Sequence, residues 1–223
     1  MRKAWVYGGV AASIVLIVFG LAAIALGWNG RNEVRSNLKQ EQIVGSADMT
    51  PAAIKAEAAK AGLKNVSFPS CSVANKSVNT GSSARCFAEY MRIHALEASG
   101  GLPYALMGRY QAKPNAPASA TDGHGGTNDA KYAVIDPKSN QPVSNGARNT
   151  WVTETALTTA LNQAYFAEQV GNFSIVMGIA LLLTGIGLLV LDLGGLQPLL
   201  RTREQRAAVG IAQREETSVP AGV

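Results

Sequence analysis

Two long stretches without a charged residue decide the fold: AWVYGGVAASIVLIVFGLAAIALGWNG at residues 4–30 and QVGNFSIVMGIALLLTGIGLLVL at residues 169–191. A helix rises about 1.5 Å per residue, so about 20 residues cross a hydrocarbon core about 30 Å thick. Both stretches exceed that length, which is typical of membrane-spanning helices and unusual for a buried helix of a soluble protein. We therefore predict transmembrane helices over residues 4–28 and 172–195.

Basic residues beside these stretches indicate the orientation, because the cytoplasmic flanks of membrane spans carry an excess of Lys and Arg. The basic residues that flank the two stretches are Arg2, Lys3, Arg201, Arg203 and Arg206. We therefore expect a multi-pass protein of the plasma membrane. Its residues 1–3 and a disordered tail, residues 196–223, would lie in the cytoplasm, and residues 29–171 would form one extracytoplasmic domain.

An alternative interpretation of the first stretch is a cleaved signal peptide. The stretch follows a basic segment, and Ala23-Ile24-Ala25 is a weak cleavage signal of the small-x-small type. The apolar run is, however, longer than the roughly 7–15 residues of a typical signal-peptide core. We therefore expect the first stretch to remain in the protein as an anchor.

Small residues at four-residue spacing predict that the two spans pack against each other. The pairs are Gly9 with Ser13, Ala23 with Gly27, and Ser174 with Gly178. Such pairs let helix backbones approach closely in lipid. The same spacing also arises from the general composition of membrane helices, and a partner's helix could use the same grooves. Because no charge lies in the middle of either span, a pump or proton relay is not expected.

Cys71 and Cys86 are the only cysteines, and both fall in the segment expected outside the cytoplasm. An oxidising compartment permits a disulfide, and two cysteines allow one pairing. The closed loop of about 15 residues would stabilise the domain by about 3 kcal/mol. A redox-active pair normally has CxxC spacing and a zinc site needs more ligands, so we predict a structural disulfide.

The segment between the two spans is predicted to be mostly helical, which makes the whole chain a mainly α protein. Thr50 and Pro51 have the character of an N-cap and a first helical residue. Residues 114–147 are rich in Pro and Gly and should form an irregular excursion, with a strand only at residues 132–135. Helices are predicted at residues 52–60, at residues 83–98 and from residue 150 into the second span.

The two histidines, His94 and His124, are the candidates for chemistry. An iron site of the facial-triad type needs two His and one carboxylate, which Glu97 or Asp122 could supply. Glu97 follows His94 by one helical turn, a spacing that is equally typical of a solvated helix face. A hydrolytic triad of His124 with Asp122 is a geometry that residue content does not establish. The motifs of nucleophile elbows, phosphate loops and HExxH zinc enzymes are absent, so we expect no catalytic residue, no cofactor and no metal.

Three stretches together resemble a family of actinobacterial two-span membrane proteins of about this length. They are EQIVGSADMTPAAIKAEAAKAGLKNVS at residues 41–67, ARCFAEYMRIHALEASGGLPYA at residues 84–105 and WVTETALTTALNQAYFAEQVGNFSIV at residues 151–176. Members of the family are often described as aromatic ring-opening dioxygenases of the LigA type, enzymes that hold iron with histidines. For this chain the resemblance implies the two-span topology and a cell-envelope setting, and it carries over no catalytic residue.

The net charge of +5 is not concentrated in a basic and aromatic cluster, so nucleic acid is not an expected partner. The expected partners are the lipid bilayer and another membrane or envelope protein. Three functions stay open. The first is a non-enzymatic accessory or scaffold protein of the cell envelope, the second is an extracytoplasmic ligand sensor that acts through a partner, and the third is an enzyme.

Overall fold

The computed structural model describes the backbone of residues 2–216 and the side chains of residues 7–194. The fold is mainly helical, as predicted. The helices are α1 (Arg2–Gln40), α2 (Pro51–Lys60), α3 (Gly81–Ala98) and α4 (Gly146–Glu216). The side chains from which the orientation was predicted lie outside the described ones: Arg2, Lys3, Arg201, Arg203 and Arg206.

The C-terminal segment differs from the prediction of a disordered tail over residues 196–223. Helix α4 continues to Glu216, and residues 217–223 lie outside the described part of the chain. Residues 201–216 consist mostly of Arg, Ala, Glu and Gln, which have high helix propensity. Extending a helix that is already formed also needs no new nucleus, so this composition is sufficient to prolong α4.

Two helical stretches are long and apolar enough to cross a membrane, Tyr7–Gln40 within α1 and Gly146–Gly194 within α4. In the most apolar window of each stretch only 11% of the residues are buried. A core helix of a soluble protein would instead be covered by its neighbours. The two stretches are therefore candidate membrane spans. The chain divides into two compact units, Met1–Asn29 with Gly171–Val223, and Gly30–Val170.

Within the first unit the two helices pack most closely at glycines. A Cβ added to Gly27 would lie 2.6 Å from the carbonyl oxygen of Gly171. A Cβ added to Gly20 would lie 2.7 Å from the carbonyl oxygen of Gly178. Neither position has room for a side chain, so the two backbones are in direct contact there.

These contact positions recur every seven residues, and we call them the glycine seam. Its members are Ser13, Gly20 and Gly27 on α1 and Gly171, Gly178 and Gly185 on α4. A seven-residue period keeps one face of a helix turned toward its partner. Three residues of the predicted four-residue pairs, Ser13, Gly27 and Gly178, belong to the seam. Of the others, Ala23 and Ser174 are half-buried, and Gly9 lies against the carboxylate of Asp192.

Asp192 is a charged residue near the end of the second predicted span, and it faces α1. The Ser13 hydroxyl donates to the carbonyl oxygen of Gly9 at 2.9 Å and lies 3.3 Å from Asp192 Oδ2. Ser13 is fully buried between the two helices. A carboxylate packed against an apolar helix is costly to bury without a polar neighbour, and the Ser13 hydroxyl supplies one.

The core of the second unit is built by α2 and α3 together with residues from α1 and α4. The principal core side chains are Leu38, Ile54, Val78, Tyr90, Ile93 and Leu161. Tyr90 is fully buried, and its hydroxyl donates to the carbonyl oxygen of Cys71 at 2.6 Å. Cys71 is bonded to Cys86, as predicted, and the disulfide ties the loop before α3 to the first turns of that helix.

Side-chain caps fix the starts of α2 and α3. Thr50 Oγ1 accepts a hydrogen bond from Ala53 N at 3.2 Å, as the Thr50-Pro51 pattern predicted. Helix α3 begins two residues before the predicted start, because Thr80 is its N-cap. The Thr80 hydroxyl accepts from Ser83 N, and the Ser83 hydroxyl accepts from Thr80 N. This reciprocal capping box satisfies two backbone donors at the start of the helix.

Residues 114–145 are irregular, as predicted, and hold only short elements, whereas α4 begins at Gly146, four residues before the predicted start. Strand β1 (Tyr110–Gln111) pairs antiparallel with β2 (Gly126–Thr127). The strand predicted at residues 132–135 is wrong, since that segment makes only the isolated bridges Ala112↔Ala133 and Ile135↔Pro142. Pro142, the partner of Ile135, has no backbone N–H and cannot donate a hydrogen bond to a ladder, so the pairing does not extend into a strand.

Candidate functional site

Three carboxylates surround His94, a half-buried residue of α3. Asp48 Oδ2 lies 3.7 Å from His94 Nε2. Glu57 Oε2 and Glu97 Oε2 each lie 3.9 Å from His94 Nδ1. Both ring nitrogens therefore face acidic groups, and we call these four residues the His94 cluster.

The cluster is assembled by the packing of α2 on α3. Glu97 follows His94 by one turn of α3, and Glu57 projects from α2. Asp48 belongs to the turn before α2, in which Met49 N donates to the carbonyl oxygen of Ser46 at 3.1 Å. The buried side chains of Ile54 on α2 and Ile93 on α3 belong to one core, which holds the two helices together beneath the cluster.

Asp48 is ionised at neutral pH. A hydrogen bond from the Ser46 side chain is the main reason that the pKa of Asp48 lies below its ordinary value of 3.8, and the nearby His94 lowers it further. Partial burial of the carboxyl acts in the opposite direction. The Oδ1 atom is buried and accepts no hydrogen bond from any described residue. The Asp48 carboxylate therefore presents Oδ2 to His94 and keeps Oδ1 buried without a hydrogen bond from any described residue.

The His94 cluster carries a surplus of negative charge. Asp48, Glu57 and His94 each offer one ligand atom, and these three atoms lie within 4.8 Å of one another. Within residues 7–194, no Lys or Arg side chain makes a salt bridge to Asp48, Glu57 or Glu97. One imidazole supplies at most one positive charge against three carboxylates, so the arrangement is chemically suited to a cation.

A groove of about 540 Å³ lies beside His94, between α3 and the first turns of α4. Its walls are mainly apolar and include Met91, Ala98 and Leu157. The groove is also lined by Glu154, which is only 4% exposed and whose Oε1 accepts a hydrogen bond from Thr158 Oγ1 at 2.7 Å. Apolar walls with a few fixed polar groups are typical of sites for small molecules.

His124 and Asp122 lie outside the His94 cluster, in the irregular excursion. The Asp122 carboxylate accepts hydrogen bonds from the backbone N–H groups of Gly108, His124 and Gly126. The His124 ring occupies the space beside Gly100, where a Cβ would collide with it. In the described part of the chain, the two histidines therefore do not share an iron site, and backbone N–H groups rather than the His124 ring engage the Asp122 carboxylate.

Helical spacing identified Glu97 but missed Asp48 and Glu57, because these residues come from another helix and the turn before it. Glu154 was also missed, although it interrupts the apolar stripe of α4 three residues before Leu157, which is a signal for a buried charge. Packing alone brings these groups to α3.

No protein-family model, curated protein or solved structure matches the chain.

Proposed function

We propose that this protein is a multi-pass protein of the plasma membrane that presents a disulfide-bonded helical domain outside the cytoplasm. The observation that carries the proposal is the Cys71–Cys86 disulfide, because it lies in the segment between the two apolar helices. Disulfides persist in oxidising compartments and are rare in the cytoplasm. This supports an extracytoplasmic position for residues 29–171, with both chain ends in the cytoplasm.

The orientation is tested by alkylation in intact cells with a reagent that does not cross the membrane. Cys71 and Cys86 should react only after reduction. A cysteine placed in the tail by Gln213→Cys, in a chain that also carries Cys71→Ser and Cys86→Ser, should react only after lysis. Free reaction of Cys71 and Cys86 without reductant, or reaction of the tail cysteine in intact cells, would contradict the proposal.

The role proposed for this domain is that of a non-enzymatic accessory or scaffold protein of the cell envelope. Two anchors fix the chain in the bilayer, and the disulfide and buried core give the domain a defined surface. Leu106, in a 3-10 helical turn before β1, has 62% of its surface exposed and offers an apolar contact to another membrane or envelope protein. Nucleic acid is not a proposed partner.

This role is tested by photocrosslinking in living cells. A crosslinkable residue at Leu106 should give one discrete adduct with another envelope protein, and the same residue at Lys138, which is also exposed, should give less of it. Mass spectrometry of native purifications in several mild detergents should recover the same protein. Recovery of this chain alone under all conditions, with no adduct at either position, would argue against a scaffold role.

The groove supports a second candidate, a ligand sensor that acts through a partner. Its apolar walls and the carboxylate of Glu154 match a small apolar molecule with a hydrogen-bonding or basic group. A screen of such molecules by thermal shift should find ligands that stabilise the native chain. Ala98→Trp, which fills the groove, should abolish the shift, whereas Ser82→Trp on the exposed side of α3 should not. Equal shifts in both variants would contradict a binding role for the groove.

A further inference from the structure

We propose that the His94 cluster is a binding site for a divalent transition-metal ion of the Zn²⁺ class, with Asp48, Glu57 and His94 as ligands. The site would lie on the surface of the domain, where the turn before α2, α2 itself and α3 meet. It is separate from the proposed scaffold role and does not depend on it.

The distances within the cluster suit such an ion. Zn²⁺ binds His nitrogen and carboxylate oxygen at about 2.0–2.2 Å, so two atoms on one ion are at most about 4.3 Å apart. His94 Nε2 lies 3.7 Å from Asp48 Oδ2, within that limit, whereas Glu57 Oε2 lies 3.9 Å from the other ring nitrogen, Nδ1. One ligand atom from each of the three residues lies within 4.8 Å of the others, which is slightly beyond the limit. The three side chains are partly exposed, so small rotations bring all three ligand atoms onto one ion.

Glu97 completes the arrangement around the imidazole. A histidine that binds a metal through one ring nitrogen almost always donates the N–H of the other to a carboxylate or carbonyl. Glu97 Oε2 is 3.9 Å from His94 Nδ1, so it is placed to accept that N–H when Nε2 binds the ion. The carboxylate orients the ring and fixes its tautomer.

Charge is the second argument for a bound cation. Asp48, Glu57 and Glu97 bring three negative charges to one imidazole, and no Lys or Arg among the described residues forms a salt bridge with them. Like charges at this separation destabilise a partly buried cluster. The buried Oδ1 of the same Asp48 carboxylate accepts no hydrogen bond from any described residue, so its charge is not offset there. A divalent ion neutralises most of this surplus.

The ligand types favour Zn²⁺ over Ca²⁺ or Mg²⁺. Ca²⁺ takes six to eight oxygen ligands and Mg²⁺ retains several waters, whereas imidazole is typical of Zn²⁺ and its neighbours in the first transition row. One imidazole with two carboxylates is therefore a site for a borderline metal. Asp48 lies in the turn before α2, Glu57 belongs to α2, and His94 belongs to α3. The ion would therefore also join α2 to α3.

The test is equilibrium dialysis of the full chain, purified in detergent without a histidine tag, against Zn²⁺. The wild-type protein should retain one ion per chain, and His124→Ala and Glu89→Gln should bind with unchanged affinity. His94→Ala, Asp48→Asn and Glu57→Gln should lower the affinity at least about tenfold, since loss of a supporting contact alone costs 10–100-fold. Zn²⁺ should raise the Tm of the wild type and not that of these three variants.

Three results would overturn the proposal. They are a wild-type chain that retains no stoichiometric Zn²⁺, variants of the cluster that bind as well as the wild type, and a loss of binding in His124→Ala. Circular dichroism identifies any variant that does not fold. Asp48→Asn and Glu57→Gln keep the size of the side chain and its exposed position, so they test the site even if His94→Ala unfolds the domain.

Discussion

The carboxylate of Glu168 accepts a hydrogen bond from the backbone N–H of Gly81 at 2.5 Å, which joins α4 to the first residue of α3. Glu168 is buried, and its other oxygen accepts from Arg35 of α1, with N–O distances of 2.8 and 2.9 Å. A negative charge at a helix N-terminus interacts favourably with the helix dipole. One buried carboxylate thus connects three helices of the second unit.

Glu168→Gln should destabilise the domain by about 1.5–3 kcal/mol, the usual range for hydrogen bonds to a charged group. A glutamine side chain has one acceptor oxygen, so it can accept from the Gly81 N–H or from Arg35 but not from both. The substitution also removes the negative charge opposite Arg35. Thermal unfolding followed by circular dichroism measures the change. Glu89→Gln is the control, because the exposed pair of Glu89 with Arg85 contributes only about 0.3–0.5 kcal/mol. Equal Tm values for the two variants would contradict this role of Glu168.

Gly81→Ala should destabilise the same junction by about 1–3 kcal/mol, the range for overpacking. A Cβ at Gly81 would lie 2.8 Å from the Cα of Tyr165 and 2.7 Å from Glu168 Oε2, and the Tyr165 backbone cannot rotate away. Ser82→Ala, at the next and exposed position, is the matched control. A Gly81→Ala protein as stable as wild type would show that α3 shifts freely along α4.

Loss of the disulfide should cost about 3 kcal/mol, since it closes a loop with a sequence separation of 15. The double variant Cys71→Ser with Cys86→Ser should unfold at a lower temperature than the oxidised wild type. Reductant should lower the Tm of the wild type toward that of the variant and leave the variant unchanged. A wild-type Tm that does not respond to reductant, once mass spectrometry confirms free thiols, would contradict a stabilising role.

Asp122 should make the domain sensitive to acid. Burial acts to raise the pKa of this carboxyl, but the backbone N–H groups of Gly108, Gly126 and His124 together hold the pKa below its ordinary value of 3.8. The stabilisation is therefore complete above about 3.8, the unfolded value, and is lost as the pH falls through the lower folded value. The domain should lose stability below pH 3.8.

Asp122→Asn tests this pH dependence. The variant should be less stable than wild type at pH 7, and the difference should shrink as the pH falls below 3.8, because the wild-type carboxyl then becomes neutral as well. Asp129→Asn is the control, since Asp129 accepts the N–H of Lys131 in an exposed turn. A stability difference that stays constant down to the lowest pH would contradict the assignment.

Gly178→Leu should separate the two candidate spans. A Cβ at Gly178 would lie 2.7 Å from the carbonyl oxygen of Gly20, so a larger side chain forces the backbones apart at a cost of about 1–3 kcal/mol. Gly187→Leu is the matched control, because no atom lies within 4 Å of a Cβ at Gly187. The Tm of the full chain in detergent should fall for Gly178→Leu alone. An equal effect of both variants would show that the seam does not hold the spans together.

The local elements were largely predictable from the sequence. The Thr50-Pro51 pattern located the start of α2, and the cysteine count allowed one disulfide. The predicted start of α3 is two residues late, because the apolar spacing begins inside the helix and Thr80, its N-cap, precedes the apolar positions. The seven-residue repeat of the glycine seam is present in the sequence, but the four-residue pairs did not include Gly20, Gly171 and Gly185.

By itself the sequence determined the two apolar helices, the single possible disulfide and the mainly helical character of the chain. These properties depend on composition and on spacing within one helix, which are local. Only the tertiary structure decided that Asp48 and Glu57 meet His94, that Glu154 lines a groove, and that Glu168 caps α3. Those contacts join residues on different helices, and the packing of the shared core sets their positions, which no spacing along the chain encodes.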